Sequence, residues 1–356
     1  VNDALKHALH GLLGTRCEET ASAMLLSPAS ERELSQILRL LSRHGGWLRQ
    51  DVLGQDVSGQ DVSGQDVLGR EVIIRRSRLS EVGPIDDKSA VVRVGAGVKL
   101  STLELSLTAQ GYSLGPLSPG ACALELGDFL EGPYAGLRGI PGGRLEPLSM
   151  ALEAVTRAGV RHASRATPRS AAGPHLDALF LGAGGRVGLI FAATLRLYAK
   201  PAAHRAETFS FPNEAAACAA LRRTLDDGAF LERVHLERRA DRVLAEVCAL
   251  GTPEGVERDL VTLFHRVANV GGRNSPHRVE DSLPVPSLER EATWEAVAAA
   301  VKAGQRLWLY RLAVDSVVAE GQVEGVSLSR PGAALPPGWQ AVLTQVDPEL
   351  ERGGES

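Results

Sequence analysis

The sequence predicts an α+β protein built in two units. Three observations carry this prediction. The chain has 356 residues, more than a single core of ordinary size accommodates. Between residues 72 and 197, short β-rich apolar runs alternate with a helical repeat. Beyond a short polar connection at 199–206, which contains Pro201, a different set begins: helix, two strands, helix, helix and strand.

The elements follow in order. Leu5, Leu9, Leu12 and Leu13 stand at helical spacing with Lys and His between them, so residues 1–17 predict a short amphipathic helix docked on the fold. Residues 27–44 predict a second helix. Ser30 stands where a cap is needed, Glu33 follows three residues on as in a capping box, and Leu34, Ile37, Leu38 and Leu41 form the apolar face. Gly45-Gly46 ends it. Residues 51–70 then read DVLGQ DVSGQ DVSGQ DVLGR, a period of five with Asp51, Asp56, Asp61 and Asp66 in phase. The unit resembles pentapeptide repeats that coil into a β-helix. Four units make about one coil, which has no stacked neighbour to bury its interior, so an exposed surface excursion is expected. The aspartate spacing matches neither an EF-hand nor the nine-residue calcium repeat.

Strands are predicted at Val72–Ile74 and 90–94, followed by a helix over 99–110 through Leu100, Leu103 and Leu107, which Gly111 stops. Residues 115–147 are rich in Gly and Pro with weak periodicity, a composition that points to a binding segment. Further strands are predicted at 151–155 and 189–197. Past residue 201 come a helix at 213–226, two strands within 231–249, helices at 253–269 and 291–303, and a strand at 307–314. The tail after Arg330 is expected to be loose.

Composition excludes several classes. Apolar residues make 44% and charged residues 23% of the chain, which rules out disorder throughout. A net charge of −4 without a basic stripe, and 4% aromatics, argue against nucleic acid as a partner. No apolar run is long enough to span a membrane. The four cysteines, Cys17, Cys122, Cys218 and Cys248, form no C-x-x-C pair, so no zinc or disulfide framework is expected and reduced thiols in a cytoplasmic protein are the reading. No Ser/His/Asp triad stands out, and no catalytic base is assigned.

Three segments in order carry a resemblance. Residues 173–201 read GPHLDALFLGAGGRVGLIFAATLRLYAKP, residues 76–111 read RSRLSEVGPIDDKSAVVRVGAGVKLSTLELSLTAQG, and residues 142–159 read GGRLEPLSMALEAVTRAG. They resemble the FAD-binding domain of the vanillyl-alcohol oxidase and p-cresol methylhydroxylase (PCMH) superfamily. In the first segment Leu181, Gly182, Gly185, Gly188, Ile190, Ala193, Thr194 and Pro201 stand at matching positions. The FAD-binding subunit of glycolate oxidase is a relative of similar size.

The resemblance implies a PCMH-type FAD-binding domain of two α/β subdomains over 18–200, a smaller α+β cap domain over 201–330 and a loose tail over 331–356. It implies a flavin oxidoreductase of glycolate-oxidase type, acting on a small 2-hydroxy acid and passing electrons to a partner subunit. The cofactor would be non-covalent FAD, whose pyrophosphate is bound by backbone N–H groups in Gly-rich turns. Gly182, Gly184, Gly185, Gly188 and Ile190 would line it, with Gly45, Gly46 and Gly127 helping. No metal is implied.

There are departures. The first phosphate loop keeps Gly45 and Gly46, but Trp47 and Leu48 replace its third glycine and hydroxyl residue. In the second loop, Glu125-Leu126-Gly127-Asp128-Phe129, Asp128 replaces a glycine and Glu125 a hydroxyl residue. Carboxylates there repel a pyrophosphate, so a flavin-free relative acting as a binding or regulatory subunit is the alternative. His44 and His175 read as surface residues. Tyr134 and Arg138 read as packing and surface-pair residues, with a flavin or acid contact as the alternative. Arg75, Arg76 and Arg78 read as a solvated strand end, with an anion site as the alternative.

Overall fold

The protein is described here as a computed structural model. The structure describes residues 3–20, 23–44, 48–49, 71–115, 117, 119–132, 136–140, 144–167, 175–276, 289–310, 317–320 and 326–327. The pentapeptide repeat, Gly45, Gly46, Tyr134 and the tail after Arg330 lie outside the described residues.

The chain opens with α1 (Asp3–Leu13), whose Leu5, Leu9 and Leu13 are buried as their spacing predicts. Next comes α2 (Glu31–Arg43). Its start is fixed locally. The Ser30 hydroxyl accepts the Glu33 N–H, and the Glu33 carboxylate accepts the Ala29 N–H and two bonds from Arg16. Both helices pack on a small sheet ordered Cys17–Glu19, Ala23–Leu26, Glu71–Ile74, Leu48–Arg49. Its last three strands run parallel.

A second, wholly antiparallel sheet has the order Arg161–Ala163, Ser149–Thr156, Gly188–Arg196, Val91–Gly95, Val82–Asp86. One face meets the first core through Val155, Leu189 and Phe191. The other is covered by α3 (Leu100–Ala109), α4 (Pro119–Ala123) and α5 (Leu126–Glu131). The described part of the 115–147 stretch, whose composition points to a binding segment, carries regular structure that its weak periodicity does not reveal. It holds two short helices and a hairpin, Leu137–Ile140 with Arg144–Pro147. Elements this short, with α5 buried nearly all round, leave no periodicity to read.

The third sheet has eight strands, ordered Arg273–Asn274, Ala203–Phe211, Arg242–Gly251, Arg233–Arg239, Leu307–Tyr310, Val317–Glu320, Glu289–Ala292, Val326–Ser327, and all pairings are antiparallel. Three helices cover one face: α6 (Glu214–Asp226), α7 (Pro253–Asn269) and α8 (Trp294–Lys302). Their caps Asn213, Thr252 and Thr293 each accept the N–H three residues on. The 199–206 connection is a correction: Ala203 begins a nine-residue strand. Its first half is polar and largely exposed while its second half is core, so no single pattern marks it. The α+β class predicted from sequence is the class observed.

Candidate functional site

Two polar constellations lie where apolar packing is expected. The first centres on Arg76, at the end of the Glu71–Ile74 strand. The solvated-strand-end reading holds for Arg75 and Arg78, which are exposed. It fails for Arg76, which is 4% exposed. The Arg76 backbone is wedged under Gly97, where a Cβ would stand 1.8 Å from the Arg76 carbonyl oxygen. Its side chain turns inward across Gly127. Nη1 donates to Asp128 at 2.7 Å and Nη2 to the fully buried Glu131 at 2.5 Å. Glu131 also accepts the Ile190 N–H at 2.5 Å. Burial pushes the Glu131 carboxyl up to about 7, against the opposing pull of Arg76. Glu125 is also raised, by burial and then by Asp128.

This cluster bears directly on the glycine-rich turns. A cofactor pyrophosphate needs free N–H groups or unpaired cations. The Leu126 and Gly127 N–H groups donate to Val98 and Ala96, the Gly182 N–H to Leu130, the Gly184 N–H to Glu131 and the Ile190 N–H to the Glu131 carboxylate. A Cβ on Gly127 would meet the Arg76 side chain at 2.7 Å, so this glycine makes room for an arginine of the chain itself. Gly182, Gly184 and Gly185 have φ of 69°, 58° and 73°, and Gly188 lies where a Cβ would be 2.1 Å from the Val155 carbonyl oxygen. These glycines have structural reasons of their own. The second phosphate loop, with its amides engaged and Glu125 and Asp128 beside it, does not fit a pyrophosphate. Gly45 and Gly46, which the sequence places at the first loop, lie outside the described residues.

The second constellation is the face of the eight-stranded sheet away from the helices. Val234 and Leu236 point into the helical core, so Arg233, His235 and Glu237 face the other way. Register places Thr208, Glu246, His235 and Trp308 in one row across four strands. The next row holds Ala206, Cys248, Arg233 and Tyr310. His235 is 2% exposed, and burial together with Arg306, Arg233 and Arg239 lowers its pKa to about 4. It is therefore a neutral imidazole near pH 7. Glu237 is paired with Arg239 and Arg306. Arg242 donates through Nε to Ser210 at 2.6 Å, while its Nη2 is buried without a hydrogen bond. The Cys122 thiol on α4 is pushed up to about 11, chiefly by burial.

Sequence reasoning missed this face. Its one available signal was the alternation of Arg233, His235 and Glu237 with apolar Val234 and Leu236. Of the residues it did consider, His175 is exposed as expected. Arg138 lies on the Leu137–Ile140 strand, and Tyr134 is outside the described residues. His162 and Ser164 both bond Asp177, at 2.6 and 2.7 Å, and His162 stacks on Phe180. The serine contacts the acid rather than the imidazole, so this is a packing lock and not a nucleophile relay.

Comparison with known proteins agrees with this architecture. Residues 22–161 match the family of FAD binding domains. Alkyldihydroxyacetonephosphate synthase of Caenorhabditis elegans is 26% identical over 129 residues, a stretch spanning 36% of this chain and 22% of that protein. A solved structure of alkyldihydroxyacetonephosphate synthase superposes with a TM-score of 0.71 at 15% identity, covering 93% of this chain and 77% of that one. p-Cresol methylhydroxylase with substrate bound gives a TM-score of 0.64 at 12% identity, covering 99% and 86%. 6-Hydroxy-D-nicotine oxidase of Arthrobacter nicotinovorans gives 0.60 at 16% identity, covering 98% and 84%. The matched family model, an FAD binding domain, supports FAD as the cofactor. No helix among the described residues is long and apolar enough to cross a membrane. Residues 22–161 thus match an FAD binding domain, and the architecture around them has the fold of alkyldihydroxyacetonephosphate synthase and p-cresol methylhydroxylase.

Proposed function

We propose that the protein is an FAD-dependent oxidoreductase of glycolate-oxidase type. It takes a small 2-hydroxy acid at the polar face of the eight-stranded sheet and hands electrons to a partner subunit. The observation that carries the acid-substrate reading is Arg242. Its Nη2 is a buried cationic donor without a hydrogen bond, which a substrate carboxylate would satisfy. Neutral His235 and Arg233 on the same face suit a substrate with one carboxylate and one hydroxyl. In this reading the first unit, to about residue 200, holds the cofactor and the second holds the substrate. Of the residues assigned to FAD from the sequence, Gly45, Gly46, Gly182, Gly184, Gly185 and Ile190 would line it, whereas Gly127 and Gly188 face Arg76 and Val155 of the chain itself. The amides of Gly127, Gly182, Gly184 and Ile190 are already engaged.

A second reading has its own support. Arg76, Asp128 and Glu131 form an ion-pair cluster at the second phosphate loop, with Arg76 Nε left without a hydrogen bond, which supports a flavin-free relative acting as a binding or regulatory subunit. One experiment separates the two. The purified protein is examined by visible spectroscopy, titrated with FAD, and then mixed with short 2-hydroxy acids and an artificial electron acceptor. The enzyme reading expects a flavin spectrum and acid-dependent bleaching. A colourless protein that ignores added FAD establishes the flavin-free reading instead.

A further inference from the structure

We propose that the chain binds a transition-metal ion of the zinc class at the edge of the eight-stranded sheet, through His204, Glu232 and Cys248. Three neighbouring strands supply the ligands. His204 lies on the Ala203–Phe211 strand, Cys248 on Arg242–Gly251, and Glu232 directly precedes Arg233–Arg239. The main chain holds them in register. Cys248 sits opposite both Ala206 and Arg233, and the Glu232 N–H donates to the Cys248 carbonyl at 2.9 Å. One imidazole nitrogen, one carboxylate oxygen and the sulfur all lie within 4.8 Å of one another.

The distances suit a small shift of one side chain. Ligands at about 2.0–2.3 Å from a tetrahedral zinc stand roughly 3.3–3.8 Å apart. Cys248 is fully buried, whereas the His204 side chain is 55% exposed and free to close the remaining gap. Glu232 Oε2 is buried without a hydrogen bond, and its approach to His204 Nε2, at 3.5 Å, is at the limit of pairing. Glu232 already pairs with His204, and one of its carboxylate oxygens lies within 4.8 Å of both the imidazole nitrogen and the sulfur.

The donor chemistry selects the ion. A thiolate and an imidazole prefer zinc, cobalt or copper to magnesium or calcium. Thiolate and carboxylate together balance a dication. Arg233 donates from Nε to Cys248 Sγ at 3.3 Å. An N–H donor orients the sulfur and leaves it lone pairs for a metal, as supporting groups around metal ligands commonly do. Three protein ligands leave a fourth position on the exposed His204 side. Residues 204, 232 and 248 are too far apart in sequence for any spacing motif to join them.

The test uses the full chain, reduced, titrated with Zn²⁺ by calorimetry and with Co²⁺ by absorption. The expected result is saturable binding of a single equivalent, with Co²⁺ giving a thiolate charge-transfer band and tetrahedral d–d bands. C248S should abolish the charge-transfer band and H204Q should weaken Zn²⁺ binding by about tenfold or more. C17S, which alters a thiol on the four-stranded sheet, should change neither. His204 is at the surface, so H204Q is read on folded protein even if C248S does not fold. Absence of saturable binding at micromolar metal, unchanged affinity in H204Q, or a charge-transfer band surviving in C248S overturns the proposal. None of these readouts depends on flavin.

Discussion

Replacing Arg76 by methionine removes the cation from a site that buries two of its acidic partners. Arg76 is 4% exposed, the Glu131 side chain 0% and the Asp128 side chain 18%. Breaking a buried pair by deleting one partner costs about 3–5 kcal/mol, because the other charge stays buried. Against a typical stability of about 5–15 kcal/mol, that is roughly a third or more of the total. The loss has a pH signature. In the folded protein burial lifts Glu131 to about 7 from the ordinary 4.5, and Arg76 pulls the other way. A raised folded pKa means that the stabilising contribution of the protonated group is complete below the unfolded value and is lost as pH rises through the folded value. In R76M the opposing pull is gone, so the folded pKa lies higher still and the loss continues above neutrality. The deficit relative to wild type therefore grows between about pH 6 and about pH 8, by at most roughly 1.4 kcal/mol per pH unit. Urea unfolding followed by far-UV circular dichroism at both pH values measures it. A deficit below about 1 kcal/mol, or one equal at both pH values, would refute the claim that Arg76 opposes the burial-driven rise of the Glu131 carboxyl.

Two other perturbations follow. Gly188→Ala places a Cβ 2.1 Å from the Val155 carbonyl oxygen between two central strands, so a loss of about 1–3 kcal/mol is expected from overpacking; an unchanged melting temperature would show that the strands part freely. His235 carries a depressed folded pKa of about 4, so its contribution is present above the ordinary 6.5 and is lost as pH falls through 4. His235→Gln should flatten the fall in stability over that acidic window, and a variant with the wild-type pH profile would assign the acid sensitivity to other groups.

The residues that terminate and orient helices were legible because their interactions are local. Ser30 and Glu33 at α2, and the spacing of Leu5, Leu9 and Leu13 in α1, act within a few residues of where they stand. The glycines of 182–188 were legible as a turn but not in their role. Their N–H groups find acceptors on Leu130 and Glu131, some fifty residues away, and no spacing rule reports that. The exposed-looking triplet Arg75, Arg76 and Arg78 was misjudged for the same reason. The turn after the strand carries one of the three inward, but only the arrival of Asp128 and Glu131 on α5 makes burying that charge tolerable. The polar row Thr208, Glu246, His235 and Trp308 comes from four strands brought together by register. By itself the sequence determined the longer helices, the α+β class and the resemblance to an FAD binding domain, because local caps, periodicity and ordered motifs are written along the chain. Tertiary structure alone decided which cations are buried, which amides are engaged and which distant ligands converge, because charge burial and hydrogen-bond satisfaction depend on neighbours in space.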